Sequence, residues 1–505
     1  MTPKPAKPVL IALLAAAFVL TGCATVVPSD AATVAPADRA KPRQHPASEP
    51  AEPPVALTNV NRRKSRGVVA AGGADAPYNY GPSVMIDGDG KRMWWCSQYG
   101  KAKPAGDDIL HGSAKELAGP FTSSRGRKPA AVFSGSRKGF DGMHTCDPSV
   151  IKVKDVYYLY YTGAKGDHQF GNAIGVATSK DGLRWRRANG GEPIVKPSKD
   201  AKRENAYGAG QPAAVFLDGW YYLMFTDTTG GAAGWNGAGQ FLLRSRDPLF
   251  GSDVEALGPK GFAEVSSTAA ARRSSLADAF SADLMWVEVL DAFAVAHQTG
   301  TGTTLTFWDR GFTVNPHPPV TVAGPWREGP GLARTPWGHA PISAGDPCGT
   351  VPIDVLRATK NVRAPTGIRH FGMDLTGAHG CADPARALAL LEGHAFPSPE
   401  RTMDLITDGK LVRVDRRSVA VTLARSVLKQ RPDPMAELAV DARLTPEVPV
   451  LYSPGSGPGV LLDDGRLWPL RDASVADAMA KLNGSRAKTV SDHRLASYPA
   501  GPTLG

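Results

Sequence analysis

The chain has 505 residues, and its 58 Lys and Arg against 48 Asp and Glu give a formal net charge of +10. Apolar residues make up 42% and charged residues 21%, which is a globular and not a disordered composition. The 55 glycines and 43 prolines follow no collagen period and predict a turn-rich β protein, which excludes a coiled coil. The sequence contains no long basic run or nucleic-acid motif, so we expect no nucleic-acid partner.

The N-terminal segment has the pattern of a bacterial export signal. Lys4 and Lys7 precede an apolar run over residues 9–20, which is too short to span a bilayer as a helix. The run ends in Leu-Thr-Gly-Cys23, which resembles the lipobox of bacterial lipoproteins, where the cysteine is lipidated. This predicts a signal peptide over 1–22 and a membrane anchor at Cys23, facing the extracytoplasmic side of the cell envelope. An ordinary secretory signal with a chance cysteine is the alternative.

Residues 23–58 are rich in Ala, Pro and Ser and have little hydrophobic pattern. Such a composition predicts a flexible, largely extended tether. The tether would hold the folded part of the chain away from a membrane surface.

The body of the chain, residues 59–365, contains a gapless internal repeat. Its four clear copies begin at Gly81, Asp147, Gln211 and Asp283. Each copy has a short apolar strand, a turn and a second strand rich in aromatic or apolar residues, which predicts a β-hairpin. A third strand follows each hairpin, at residues 109–113, 174–179, 241–245 and 305–308. A fainter fifth unit begins at Glu328, so the repeat predicts a mainly β fold, a five-bladed β-propeller.

Three segments of the second unit resemble glycoside hydrolase family 43, the β-xylosidase and α-arabinofuranosidase group. They are Asp147-Pro-Ser-Val, residues 157–163 and residues 177–185. The resemblance implies a propeller glycosidase whose partner is an oligo- or polysaccharide, containing pentose or a related sugar. Metal-ligand spacings such as CxxC and HExxH are absent from the sequence, so we expect no metal and no cofactor.

Candidate catalytic carboxyl groups lie at the starts of the repeats. The first strand of each propeller blade lines the central channel, so these starts should lie around one rim. Glycoside hydrolysis needs two carboxyl groups that flank the scissile bond. The resemblance implies acids in blades one, three and four, and counting from Asp147 rather than from Gly81 places Asp147, Asp283 and Glu328 there. Glu328 also opens a Glu-Gly-Pro segment similar to one in the family.

The resemblance therefore implies an inverting reaction with a division of roles. Asp147 would be the general base for water and Glu328 the general acid. Asp283, which lacks the proline that follows Asp147, would raise the pKa of the acid and orient the sugar. The structural alternative is that both aspartates cap turns at the strand starts, and that Glu328 is a loop residue.

Five further side chains are candidates for substrate binding. Gln211 shares the rim and His144 lies three residues before Asp147, so both could bond sugar hydroxyls. Three tryptophans could stack on sugar rings: Trp235, Trp286 and Trp337. The alternatives are an exposed loop histidine and tryptophans that belong to the core.

Four cysteines remain after the lipobox, and an even number in an exported protein predicts two disulfides with three possible pairings. The repeat puts Cys96 at the end of a second strand and Cys146 just before the next first strand, on the same rim. It therefore favours the pairs Cys96–Cys146 and Cys348–Cys381.

Residues 366–505 carry a different repeat, of residues 408–424 against 464–480. Each copy predicts a turn, a short strand and an amphipathic helix, and Asp472 or Ser474 could cap the second helix. The region is predicted to be a small α+β module that binds glycan or braces the propeller.

Four functions fit these patterns, and an exported, lipid-anchored glycosidase is favoured. It requires Asp147, Asp283 and Glu328 to converge on one pocket. A catalytically inactive carbohydrate-binding lipoprotein is the alternative, favoured by Gly81 and Gln211 at the rim, and it predicts that Glu328 points away. A structural envelope lipoprotein predicts a filled channel, and a glycoside phosphorylase needs basic residues near the acid.

Overall fold

The computed structural model describes residues 54–505, with gaps at 73–77, 89, 99–105, 124–125, 127, 167–168, 360–365, 437 and 454. The predicted signal peptide, Cys23 and most of the predicted tether lie outside the described residues. Within the described part of the chain, no helix has both the length and the apolar character needed to cross a membrane.

Antiparallel β units follow one another along the chain after a first strand, β1 (Thr58–Lys64). The first unit contains β2 (Asn79–Asp87), β3 (Gly90–Gln98), β4 (Asp107–Ala114) and β5 (Ala130–Phe133). The second contains β6 (His144–Val153), β7 (Val156–Ala164), β8 (Ala173–Ser179) and β9 (Arg186–Arg187). The third contains β10 (Ala209–Leu217), β11 (Trp220–Asp227), β12 (Gln240–Ser245), β13 (Glu255–Gly258) and β14 (Gly261–Glu264). The fourth contains β15 (Ala282–Val287), β16 (Ala292–Thr299), β17 (Gly302–Trp308) and β18 (Val320–Ala323). The hairpins and third strands thus lie where the repeat predicts them.

The fifth unit is completed by the start of the chain. It contains β19 (Glu328–Arg334), β20 (Thr350–Thr359) and β21 (Gly367–Thr376), and β1 pairs with β21 as its outer strand. Arg63 fastens β1, because its guanidinium bonds Asp354 and Asp374 at 2.7 Å each. This sheet extends past residue 365, where the sequence places the end of the propeller. The pattern missed β21 because that strand lacks the aromatic run of the other copies.

The first strands of the five units form a closed ring. Each contacts the next along the chain, and β19 pairs in parallel with β2. Apolar side chains between neighbouring sheets form the core, and Trp94, Trp95, Phe225 and Phe293 are fully buried there. The fold is therefore mainly β and propeller-like, with one mouth of its channel at the starts of the first strands.

The described residues after β21 add two small sheets and four α-helices. The first group contains α1 (Pro384–Leu390), β22 (His394–Pro397), β23 (Met403–Thr407), β24 (Lys410–Val414), α2 (Arg417–Leu423), β25 (Ser426–Val427) and β26 (Ala442–Leu444). The second contains β27 (Val450–Ser453), β28 (Gly457–Leu461), β29 (Leu467–Pro469), α3 (Ala473–Asn483), β30 (Ala487–Thr489) and α4 (Asp492–Ala496). Asp472 caps α3 by accepting a 2.9 Å bond from the Val475 amide. Leu390 and Phe396 belong to the same apolar cluster as Met285 and Phe307, so this region packs directly on the fourth and fifth units.

Both predicted disulfides are present. The Cα atoms are 5.0 Å apart in Cys96–Cys146 and 5.1 Å apart in Cys348–Cys381. The first bridge joins neighbouring units at the channel mouth. The second joins the start of β20 to the segment before α1.

Candidate active site

A backbone irregularity recurs where four of the first strands meet the channel mouth. Gly81, Asp147, Gln211 and Gly329 all have φ between 44° and 53°, and each is followed by proline. The strand register shifts at each of these positions, which marks a β-bulge. A proline cannot donate to the ladder, and a bulge re-aims the side chain it carries. The bulges thus direct the side chains of Asp147 and Gln211 into the channel mouth. Glu328 lies one residue before the bulge at Gly329.

The first strand of the fourth unit differs from the other four. Along its described length β15 pairs with β16 in unbroken register, and Asp283 Oδ2 accepts a 2.8 Å bond from a backbone amide of β19. Ser83 and Ser149 make the same bond to the next first strand, at 2.9 Å each. Asp283 is therefore equivalent to those serines, two positions deeper than Asp147. The mouth position of this unit is occupied by Ser281.

Arg334 forms the floor of the site. The residue is 1% exposed, and its guanidinium lies 3.0 Å from Asp283 Oδ1. It also donates to the carbonyl oxygens of Leu284 at 2.6 Å and Ala214 at 3.2 Å. Burial raises the pKa of Asp283, and the charge of Arg334 opposes that rise. The Asp283 carboxylate is thus engaged with its own surroundings beneath the site.

Two adjoining cavities lie at the mouth above Arg334. The channel cavity has a volume of about 30 Å³ and is lined by Asp147, Gln211, Asp283 and Glu328, among others. The wide cavity has a volume of about 540 Å³ and is lined mainly by Phe170, Glu204, Asn205, Tyr207, Asn236 and Phe280. Gln211 and Glu328 line both. The first has room for only one or two waters, whereas the second falls in the range of small-ligand pockets.

Glu328 is half-buried between the two cavities. The hydroxyl of Tyr78 donates a 2.7 Å hydrogen bond to its Oε2 atom. Burial raises the pKa of Glu328 to about 7, and the nearby charge of Asp147 contributes to the rise. A substantial fraction of this carboxyl group is therefore protonated near neutral pH, which suits a proton donor.

Asp147 lies buried on the other side of the channel cavity. Burial raises the pKa of its carboxyl group, and the charge of His144 opposes the rise. The Tyr207 hydroxyl lies 3.5 Å from Asp147 Oδ2. Behind Asp147, His144 Nδ1 and Asp107 Oδ2 are 2.7 Å apart. Burial lowers the pKa of His144, but the contact with Asp107 raises it by more, so the pKa is raised overall. A protonated His144 would keep positive charge beside Asp147.

The sequence patterns did not predict three residues of this cluster: Tyr78, Asp107 and Tyr207. Asp107 begins β4, and third strands run in the same direction as first strands, so their first residues reach the same mouth. That signal was available from the repeat. Tyr78 and Tyr207 precede β2 and β10 in segments that differ between units, and the sequence carried no signal for them.

The predicted binding residues separate into two groups. Gln211 lines both cavities, and its Oε1 accepts a 2.9 Å bond from Ser281. Trp235 is 69% exposed and precedes Asn236, which lines the wide cavity. Trp286 and Trp337 instead line a third cavity, where the first strands end. Neither tryptophan lines the two cavities that Glu328 borders.

One group of metal-capable ligand atoms occurs among the described residues. Cys96, Asp107 and Cys146 offer atoms within 4.8 Å of one another. The two sulfur atoms are joined in a disulfide, so they are not thiolate ligands. The cluster instead places a covalent bridge directly beside Asp147.

No protein-family model and no curated protein matches the chain. The chain is similar to a family 117 glycoside hydrolase from the marine bacterium Zobellia galactanivorans, with 14% identity, a TM-score of 0.44 and coverage of 65% of this chain and 93% of that one. An α-L-arabinofuranosidase from Podospora anserina, in complex with cellotriose, is 10% identical with a TM-score of 0.38, covering 65% and 99%. The catalytic domain of an α-L-arabinofuranosidase from Coprinopsis cinerea is 11% identical with a TM-score of 0.37, covering 62% and 97%. The proposals that follow rest on the residues of this chain.

Removing the two disulfides should have different effects on the site. Replacing either pair of cysteines with serine should lower the free energy of unfolding by about 2–4 kcal/mol. Only the Cys96→Ser/Cys146→Ser variant should also lower kcat of the hydrolysis proposed below, because Asp147 follows Cys146 directly. Urea unfolding and rates measured below the unfolding transition test this, with Cys348→Ser/Cys381→Ser as the matched control. Equal kcat values in the two variants would contradict a role of the first bridge in positioning Asp147.

Proposed function

We propose that the chain is a five-bladed propeller glycoside hydrolase with a C-terminal α+β module that braces it. The observation that carries this proposal is the position of Glu328, which borders both the water-sized channel cavity and the wide cavity. Asp147 borders the channel cavity alone. A sugar in the wide cavity would therefore have a protonated carboxyl group on one side and a carboxylate with a water on another.

These positions support an inverting reaction. The Glu328 carboxyl group donates its proton to the glycosidic oxygen as the bond to the anomeric carbon breaks. A water in the channel cavity attacks that carbon and gives a proton to the Asp147 carboxylate. Glu328 is then ionised and Asp147 protonated, and exchange with solvent restores both. The Tyr78 hydroxyl orients Glu328, and His144 stabilises the charge of Asp147.

Asp283 has a supporting part in this proposal. Its carboxylate holds Arg334, which closes the channel below the attacking water. The tuning of Glu328 comes from burial and from Asp147, and Asp283 acts through the floor of the site. The resemblance to family 43 supports a pentose-containing or related polysaccharide as the substrate. The lipobox supports a lipid anchor at Cys23 and a place in the cell envelope.

The second candidate is a carbohydrate-binding protein without hydrolytic activity. Gly81 and Ser281 at the mouth favour it, because neither supplies a third carboxyl group. It predicts that Glu328 turns away from the cavity, whereas Glu328 lines both cavities. Hydrolysis of aryl glycosides and of plant and bacterial polysaccharides separates the two. Binding without product, by calorimetry, would favour the second.

The pH dependence of hydrolysis should reflect the two carboxyl groups. We expect a bell-shaped profile of kcat/KM whose alkaline limb falls near pH 7, because Glu328 must carry a proton to donate it. The acid limb should lie above the ordinary range of an aspartate, since burial raises the pKa of Asp147. Initial rates between pH 4 and 9 on one soluble substrate measure both limbs. An alkaline limb that is unchanged in Glu328→Gln would assign it to another group.

A further inference from the structure

The third cavity, which we call the far cavity, lies where the first strands end. It has a volume of about 440 Å³ and is lined by Phe216, Trp286, Glu288, Arg310, Trp337 and His339, with one edge formed by α1. Phe216 is five residues beyond Gln211 on β10, which is roughly 16 Å at about 3.3 Å per residue. A ligand in the far cavity would therefore be separate from one held at Glu328.

An exposed aromatic surface forms one wall of the far cavity. Trp337 is 50% exposed, although it is one of the largest apolar side chains. Phe216 supports it in an edge-to-face contact, with ring centres 6.1 Å apart. His339 makes a second edge-to-face contact with it, with ring centres 5.8 Å apart. The indole is thus held by its neighbours and presents an apolar face to a ligand.

The charges around the far cavity are paired with one another. Arg310 lies over the ring of Trp286 at 4.7 Å and bonds both Asp218 and Asp291. Arg386 of α1 also bonds Asp291, at 3.2 Å. Each guanidinium therefore already has a carboxylate partner. An anionic ligand would have to displace one of those partners, so the chemistry favours a ligand without charge.

Carboxylate acceptors line the far cavity. His339 Nδ1 bonds Glu288 Oε1, and His339 Nε2 bonds the Phe216 carbonyl oxygen at 2.6 Å. Asp218 and Asp291 also line the cavity, and their side chains are 64% and 36% exposed. A carboxylate has about four lone-pair sites, so each of these two can accept a bond from a ligand hydroxyl beside its existing ion pair.

We propose that the far cavity binds a sugar unit of a polysaccharide. A sugar ring has the two properties that the cavity selects: hydroxyl groups that donate to carboxylates, and a face of C–H groups. That face carries partial positive charge and packs on the negative face of an aromatic ring. The site would hold a polysaccharide chain at the opposite end of the channel from Glu328. It does not depend on hydrolysis, because none of the proposed catalytic residues takes part.

Affinity electrophoresis of the full chain tests this proposal. The gels contain arabinoxylan, arabinan, glucomannan or mixed-linkage β-glucan, and mobility against polysaccharide concentration gives Kd. We expect at least one polysaccharide to retard the protein, and Trp337→Ala to raise its Kd tenfold or more. Trp326→Ala, which removes a partly exposed tryptophan that lines none of these three cavities, is the matched control and should stay within twofold. No retardation in any gel, or equal effects of the two variants, would overturn the proposal.

Hydrogen–deuterium exchange of the unmodified chain locates the bound sugar without a variant. Oligosaccharides from the retarding polysaccharide should slow exchange in residues 335–339 and 286–291. A binding polysaccharide that slows exchange only in residues 204–211 would place the sugar in the wide cavity and overturn the proposal. Glu328→Gln serves as a further comparison, because it should remove hydrolysis and leave this protection unchanged.

Discussion

Replacing Glu328 with glutamine should lower kcat/KM on a polysaccharide by about 10²–10⁴-fold. The amide keeps the size of the side chain and can still accept the bond from Tyr78, but it has no proton to give. Dinitrophenyl glycosides should be hydrolysed at close to the wild-type rate, because their leaving group needs no protonation. Steady-state kinetics on both kinds of substrate measure the contrast.

Two variants control this experiment. Glu264→Gln makes the same change at an exposed side chain of β14, outside both cavities, and should leave both rates unchanged. Asp147→Asn should be slow on both substrates, because the attacking water still needs a base. If Glu328→Gln retains its rate on polysaccharide, Glu328 is not the general acid. An equal loss on the activated substrate would give it a different role.

Replacing Asp283 with alanine should lower the free energy of unfolding by about 3–5 kcal/mol, because it leaves the buried Arg334 without its carboxylate partner. Replacing both, in Asp283→Ala/Arg334→Met, should recover at least half of that loss, since the uncompensated charge is gone. Urea unfolding of the wild-type protein, the single variant and the double variant measures these free energies. Asp218→Ala removes a carboxylate from an exposed pair with Arg310, and it should change stability by less than about 1 kcal/mol.

This experiment also decides between two roles for Asp283. If it tunes Glu328, as the resemblance implies, Asp283→Ala should be stable but slow, with a shifted alkaline limb. If it holds the floor, stability falls and the double variant regains kcat together with stability. A stable Asp283→Ala protein would contradict the structural role.

The repeat agrees with the structure in the units whose first strand has a β-bulge followed by proline. Proline after Gly81, Asp147 and Gln211 marks the bulges, so the sequence placed those residues at one mouth. It aligned Asp283 with them, although no proline follows it and the bulge-free strand β15 puts Ser281 at the mouth. The alignment was therefore displaced by two residues in that unit. The alignment chose Asp283 because it is an aspartate, like Asp147, at a similar spacing along the chain, although no proline follows it.

Residues outside the repeat were harder to foresee. Tyr207 reaches Asp147 from the segment before β10, and Trp337 reaches the far cavity from the turn after β19. Such segments vary in length and conformation, so spacing in one sequence does not locate their side chains. The Cys96–Cys146 bridge, by contrast, followed from strand direction, because the second strand of one unit ends at the mouth where the first strand of the next unit begins. Cys348 and Cys381 were then the remaining pair.

The pairing of β1 with β21 has a consequence for how the protein is made. Asn61 and Asp374, bonded across these strands, lie 313 positions apart. During synthesis β1 emerges first, and its partner emerges only when most of the chain has been translated. Until then β1 is an unpaired edge that can join another chain, and contacts of such long range form slowly. Completion of the last sheet is therefore a late folding event, and the nascent protein depends on keeping its first strand unpaired until that point.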